Sequence, residues 1–152
     1  MSKRSNWAVG NIVEIALDNV GLAYGAVLET SVGFYDHIFR QRPSLNEITR
    51  HAFAFKLWVM KSAISSKRWR VIGQASLSND QLVEPDFYMF DIIAKRFFIY
   101  GNPNPIPATR EQCLNLECAA AWSAEHVESR LIDHFAGRAN AWALSLSAAR
   151  RA

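Results

Sequence analysis

The sequence has little of what a secreted or catalytic protein needs. It holds two cysteines in 152 residues, too few for the disulfide framework on which small secreted domains rely. Cys113 and Cys118 lie five apart in a stretch that reads as one helix, where their side chains diverge and cannot easily bridge. Glycine is sparse, at seven residues, and no GxxxxGK phosphate loop occurs. There is no GxSxG nucleophile elbow either. No apolar run approaches the roughly 18 residues that span a bilayer. Residues 1–5 lead into no signal-type apolar core, so a reducing, cytoplasmic setting is expected.

The four histidines make no metal site by spacing. His126 and His134 share one predicted helix but are eight residues apart, whereas one metal is gripped by residues at i and i+4. His37 and His51 lie near strand ends beside Asp36 and Arg50, and adjacency in sequence does not make a catalytic dyad. Cys113 with His126 is the remaining nucleophile and base pair to weigh. A thiol beside Leu114 and Leu116 reads instead as packed interior. No cofactor, no metal and no enzymatic activity are expected.

Charge is nearly balanced, with 17 Lys and Arg against 14 Asp and Glu, net +3. It is unevenly placed: residues 1–70 carry ten bases and five acids, residues 71–152 seven bases and nine acids. The densest basic spot is Lys67-Arg68-Trp69-Arg70, cations around an aromatic ring. That composition suits phosphate contact and base stacking, which gives the alternative reading of a small nucleic-acid-binding module. A polar turn entering a strand explains the same four residues, and one short cluster falls below the footprint of a nucleic-acid surface.

At this length the chain fits one domain, 1–152, strand-rich over 7–100 and helical over 108–148. Val13, Ile15 and Leu17 alternate with Glu14 and Ala16, the period of a half-buried strand. Asp18-Asn19-Val20-Gly21 supplies turn residues, Leu22, Tyr24 and Val27 form a second strand, and Gly25 suggests a bulge or close backbone approach. Residues 32–35 make a third strand, 40–50 a polar loop with room for a helical turn, and 53–59 a fourth strand with Trp58 on its wetter face. A polar connection over 62–67 leads to a strand over 68–73. A loop over 81–86 is built on Glu84-Pro85-Asp86, and two aromatic strands, 87–90 and 97–100, flank 91–96 as a hairpin. Residues 102–107, with prolines at 103, 105 and 107, are expected to cross in an extended form that cannot continue a ladder.

Helices follow. Thr109 and Gln112 form a capping box for a helix to Ala121, and Ser123 caps the next, which carries Val127, Leu131 and Phe135 and ends at Gly137. Asn140 caps a last short helix with Trp142, Leu144 and Leu146. The expected fold is α+β: an N-terminal antiparallel, curled, barrel-like sheet followed by two to three C-terminal helices packed on it.

Read in order, VGNIVEIAL at 9–17, AYG at 23–25, RWRVIG at 68–73, FFIY at 97–100, PATREQC at 107–113, LECAAAW at 116–122 and EHVESRLIDHFAGRANAW at 125–142 resemble the immunity protein 26 family of bacterial polymorphic toxin systems. Each is a packing or turn signature, so specificity lies in their order and spacing. Asn11 stands where the family pattern suggests an acid after the glycine. The resemblance implies a small cytoplasmic inhibitor that binds a cognate toxin domain and blocks it without catalysis. Inhibitors of nucleases often meet basic toxin sites with acidic surfaces. For this mildly basic chain either the toxin is acidic or not a nuclease, or the contact is local to the acids Glu84, Asp86 and Asp91, which is the expectation taken here, with Trp58 as an aromatic contact.

Overall fold

The computed structural model describes residues 7–65, 67–101 and 104–151, and Asn102 and Pro103 of the predicted crossing lie outside them. The chain divides into two compact units, one of residues up to Glu84 together with Ala121–Arg138, the other of Pro85–Ala120 and Ala139–Ala152.

The first unit is built on a five-stranded antiparallel sheet of β1 (Asn11–Leu17), β2 (Gly21–Val27), β3 (Val32–Tyr35), β4 (Phe53–Leu57) and β5 (Arg70–Gln74), in the order β4-β3-β2-β1-β5. The turn between β1 and β2 is the predicted one: Val20 N–H donates to the Leu17 carbonyl at 3.0 Å, and Asn19 takes the left-handed conformation at φ 61°. Alternation in β1 holds, with Val13, Ile15 and Leu17 buried. Buried Ile12 lies on the opposite face, in a core with Tyr24, Ala26, Tyr35 and Ile48. β1 is therefore an interior strand, between β2 and β5, with both faces covered at its start.

The predicted barrel does not form. Among the described residues β4 and β5 stay unpaired with one another, so the sheet is open. Just past the end of β4 the chain meets the segment before the long helix. Val59 bridges Trp122 in parallel, with Trp122 N–H donating to Trp58 O at 2.8 Å and Met60 N–H to Trp122 O at 2.9 Å.

Three short helices sit in the connections: α1 (Leu45–Thr49), α2 (Lys61–Ser65) and α3 (Asn79–Leu82). Ser44 and Ser78 cap α1 and α3, accepting from Glu47 N–H and Gln81 N–H. α2 occupies most of the stretch expected as a plain polar connection, because Ala63 and Ile64 bury one side of it. The long helix α5 (Ala124–Phe135) begins as expected at Ser123, buries Val127 and Leu131, and is followed by Gly137 at φ 71°.

The second unit holds a four-stranded sheet, β6 (Phe87–Asp91), β7 (Arg96–Tyr100), β8 (Pro105–Ala108) and β9 (Glu117–Cys118), in the order β8-β7-β6-β9. The aromatic hairpin β6–β7 is as predicted, with Phe87 opposite Tyr100 and Asp91 opposite Arg96. Two expectations fail here. Pro105 and Pro107 do join a ladder, since β8 is an edge strand and residues two apart turn their backbone nitrogens to the same side, leaving those of Ile106 and Ala108 toward β7. The helix begun by the Thr109–Gln112 capping box stops at Cys113, so α4 is only Arg110–Cys113, and residues 117–118 pair in parallel with β6. Tyr88, Phe97, Cys113 and Ala148 form this unit's core, and burial pushes the Tyr88 phenol up to about 12. α6 (Ala141–Ser145), capped by Asn140 as predicted, and a 3-10 turn (Ala148–Arg150) belong to this unit, whereas α5 belongs to the first and packs on β1 there.

Two glycines carry close approaches. Gly25 stays in regular register, and a Cβ there would lie 3.1 Å from Val32 Cγ1, so of the two expected roles it has the second. At Gly33 a Cβ would fall 2.7 to 2.8 Å from three ring carbons of Phe53, whose ring packs on Tyr35 at 4.6 Å between centroids. Gly33→Ala is expected to cost about 1–3 kcal/mol in urea unfolding, the usual range for overpacking.

Glu14 accepts from the Tyr24 hydroxyl at 2.8 Å and from two of the three guanidinium nitrogens of Arg42, Nε at 2.7 Å and Nη2 at 2.8 Å. The Arg42 hydrogen bond holds the Glu14 carboxyl below its ordinary 4.5. The stability this contributes is present above that ordinary value and is lost as the pH falls through the lower folded value. Between about pH 5 and about pH 3 the melting temperature of the native chain should therefore fall more steeply than that of Glu14→Gln.

Candidate functional site

Residues 67–70 form an anchor in the first unit. Trp69 is 1% exposed, meets Phe34 edge-on at 5.8 Å, and donates its indole N–H to Glu128 Oε2 at 3.0 Å. Arg68 grips the same carboxylate with two nitrogens, Nε at 2.6 Å and Nη2 at 2.9 Å, a bidentate pair that raises its own pKa. Lys67 and Arg70 are exposed, with Arg70 opposite Glu14 in the strand register. The cluster expected to stack a base and bind phosphate has its ring in the core and its central cation neutralised. Sequence reasoning missed Glu128. Its one signal was its place beside Val127 on the apolar side of a predicted helix.

Glu84 is also committed to the fold. Its Oε1 accepts from Thr30 N–H at 2.8 Å and Ser31 N–H at 3.3 Å, and its Oε2 from the Ser31 hydroxyl at 2.6 Å, with Ser31 fully buried. This carboxylate therefore satisfies the turn between β2 and β3. Trp58 is half-buried, on the part of the chain that bridges Trp122, and is no freely exposed indole.

Asp86 and Asp91 lie in the second unit. Both are exposed and bracket β6 at opposite ends, about 16 Å apart at the rise of a strand. Asp86 Oδ1 stands 3.3 Å from where a Gly101 Cβ would be. Asp91 Oδ1 accepts from Ile93 N–H at 2.9 Å and Ala94 N–H at 3.1 Å, fixing the turn of the β6–β7 hairpin. In the second unit the two predicted contact acids stand at opposite ends of β6, and two of the three acids are committed to backbone amides, Asp91 to its own turn and Glu84 to the distant β2–β3 turn.

The remaining polar chemistry is structural. His37 and His51 stack at 4.3 Å with Phe39 against both rings, and burial is the chief influence lowering the His51 pKa. His134 pairs with Asp36 at 2.7 Å. Among the described residues no group of three or more His, Cys, Asp or Glu could hold a metal ion. Cys113 is fully buried and burial pushes its thiol up, the reverse of what a nucleophile needs. Cys118 is half-buried, and both thiols are free. A depression of about 540 Å³ beside the β1–β2 turn is lined by Leu17, Asp18, Val20, Leu22 and Arg40 among others, with no base and nucleophile pair. No helix of the described residues is long and apolar enough to cross a membrane.

Glu84→Ala should destabilise the chain by about 1–3 kcal/mol in urea unfolding, because it strips acceptors from part-buried donors. Asp86→Ala, at an exposed site, should stay within about 0.5 kcal/mol.

The sequence model of the immunity protein 26 family matches residues 8–99, which is 92 of the 152 residues. The runs at 107–113, 116–122 and 125–142 lie beyond the match. No curated protein and no solved structure matches the chain.

Proposed function

The chain belongs to the immunity protein 26 family, and from that premise we propose that it binds a cognate bacterial toxin domain and inhibits it in the cytoplasm, without a cofactor and without catalysing a reaction. The family match carries the reading. The architecture supports it: strands tied at both ends of their turns hold loops in fixed positions, as a binding scaffold requires. The buried Cys113 thiol and the dispersed acids are consistent with an inhibitor that acts by occupying a surface.

The test is a pull-down of the tagged chain from its native bacterium at moderate salt, with bound polypeptides identified by mass spectrometry. The expected partner is the C-terminal domain of a large secreted protein, recovered in stoichiometric amount. Produced separately, that domain should arrest growth, and co-expression of this chain should restore it. Recovery of nucleic acid that is lost at high salt, or failure to relieve the arrest, would contradict the proposal.

A further inference from the structure

Among the described residues, the most exposed large apolar side chains sit side by side at the tip of the β6–β7 hairpin. Ile93 is 96% exposed and Ile92 73%. Large apolar side chains at the end of a protruding turn contribute nothing to the core, and their exposure is a cost that a partner can relieve. The turn that carries them is well fixed. Asp91 accepts from two of its amides, Lys95 adopts the left-handed conformation at φ 54°, and Phe90 packs on Phe97 directly behind at 4.8 Å. A tip held this way loses little freedom on binding. Lys95 and Arg96 follow, both exposed and neither in an ion pair among the described residues. Asp91, the one acid here, has a carboxylate oxygen turned onto the turn's own amides.

We propose that this hairpin tip is the element that enters the toxin, with Ile92 and Ile93 filling an apolar pocket and Lys95 and Arg96 meeting carboxylates on its rim. A concave partner follows from the exposure itself, because a flat surface cannot desolvate a side chain open on nearly every side. An acidic rim follows from the two unpaired cations, which would be left desolvated without it. The inference rests on the reading of the chain as a toxin inhibitor. It replaces the expectation that the acids around 84–91 make the contact: at the tip, the acid shapes the turn and the cations face outward.

The experiment uses the full chain and the recombinant toxin domain recovered in the pull-down as the probe. Ile93→Ser should raise the Kd about 30-fold or more, as truncation of a central apolar anchor does, with the melting temperature unchanged. Lys95→Glu with Arg96→Glu should slow association about 10-fold at low salt and flatten its salt dependence. Ile106→Ser alters an isoleucine that is 59% exposed on β8 of the same sheet, and should leave the Kd within about twofold, like most exposed contacts. Native binding with no loss in the tip variants overturns the inference and leaves the inhibitor reading intact. Equal loss from Ile106→Ser also overturns it, since the effect would then be general apolar adhesion. A native chain that forms no complex with the domain overturns both.

Discussion

The carboxylate of Glu128 is the tie on which the first unit depends. It collects two nitrogens of Arg68 and the indole N–H of Trp69 from some 60 residues away, and so fixes α5 to the strand that begins at Arg70. Burying Trp69 beside Phe34 contributes apolar stabilisation, but only an acceptor for its N–H makes that burial favourable. Glu14 and Glu84 act in the same way. Glu14 joins β1 to Tyr24 and Arg42, and Glu84 joins the end of the unit's first segment to the β2–β3 turn. Three of the chain's acids are thereby spent on holding distant segments together. Exposed cations, Arg40, Lys61, Lys67 and Arg70 among them in one unit and Lys95 and Arg96 in the other, contribute to the chain's mildly basic balance.

What the sequence revealed and what it hid divide along the same line. Turn and cap chemistry is local, so the Asp18–Gly21 turn, the Thr109 capping box, the Ser123 and Asn140 caps and the aromatic hairpin were legible from neighbouring residues alone. Errors arose where a distant partner decides. Trp69 reads as an exposed stacking ring until Glu128 is beside it. The helix predicted to Ala121 stops at Cys113 because Glu117 and Cys118 are drawn into pairing with β6. Pro105 and Pro107 read as a break in any ladder, yet alternate positions on an edge strand tolerate them. The barrel expectation also turned on distant pairing: β5 pairs with β1 and not with β4, which leaves the sheet open.

The same logic governs the candidate site. Charge counts in the sequence drew attention to acids as contact residues, whereas hydrogen bonding commits Glu84 and Asp91 to the backbone. Two adjacent isoleucines between aromatic strands were visible in the sequence, but their exposure depends on the hairpin register that places them at its end. An inhibitor built this way needs no reactive group. It needs a rigid protrusion and a surface whose polar groups are already satisfied elsewhere.

Hydrogen exchange on the full chain, free and bound to its toxin domain, tests that account most directly. The amides of residues 92–95 should slow markedly on binding, while those of Thr30, Ser31 and the segment around Trp69, already held by Glu84 and Glu128, should not change. Slowing centred on residues 67–74 or on Asp86, with 92–95 unaffected, would contradict it.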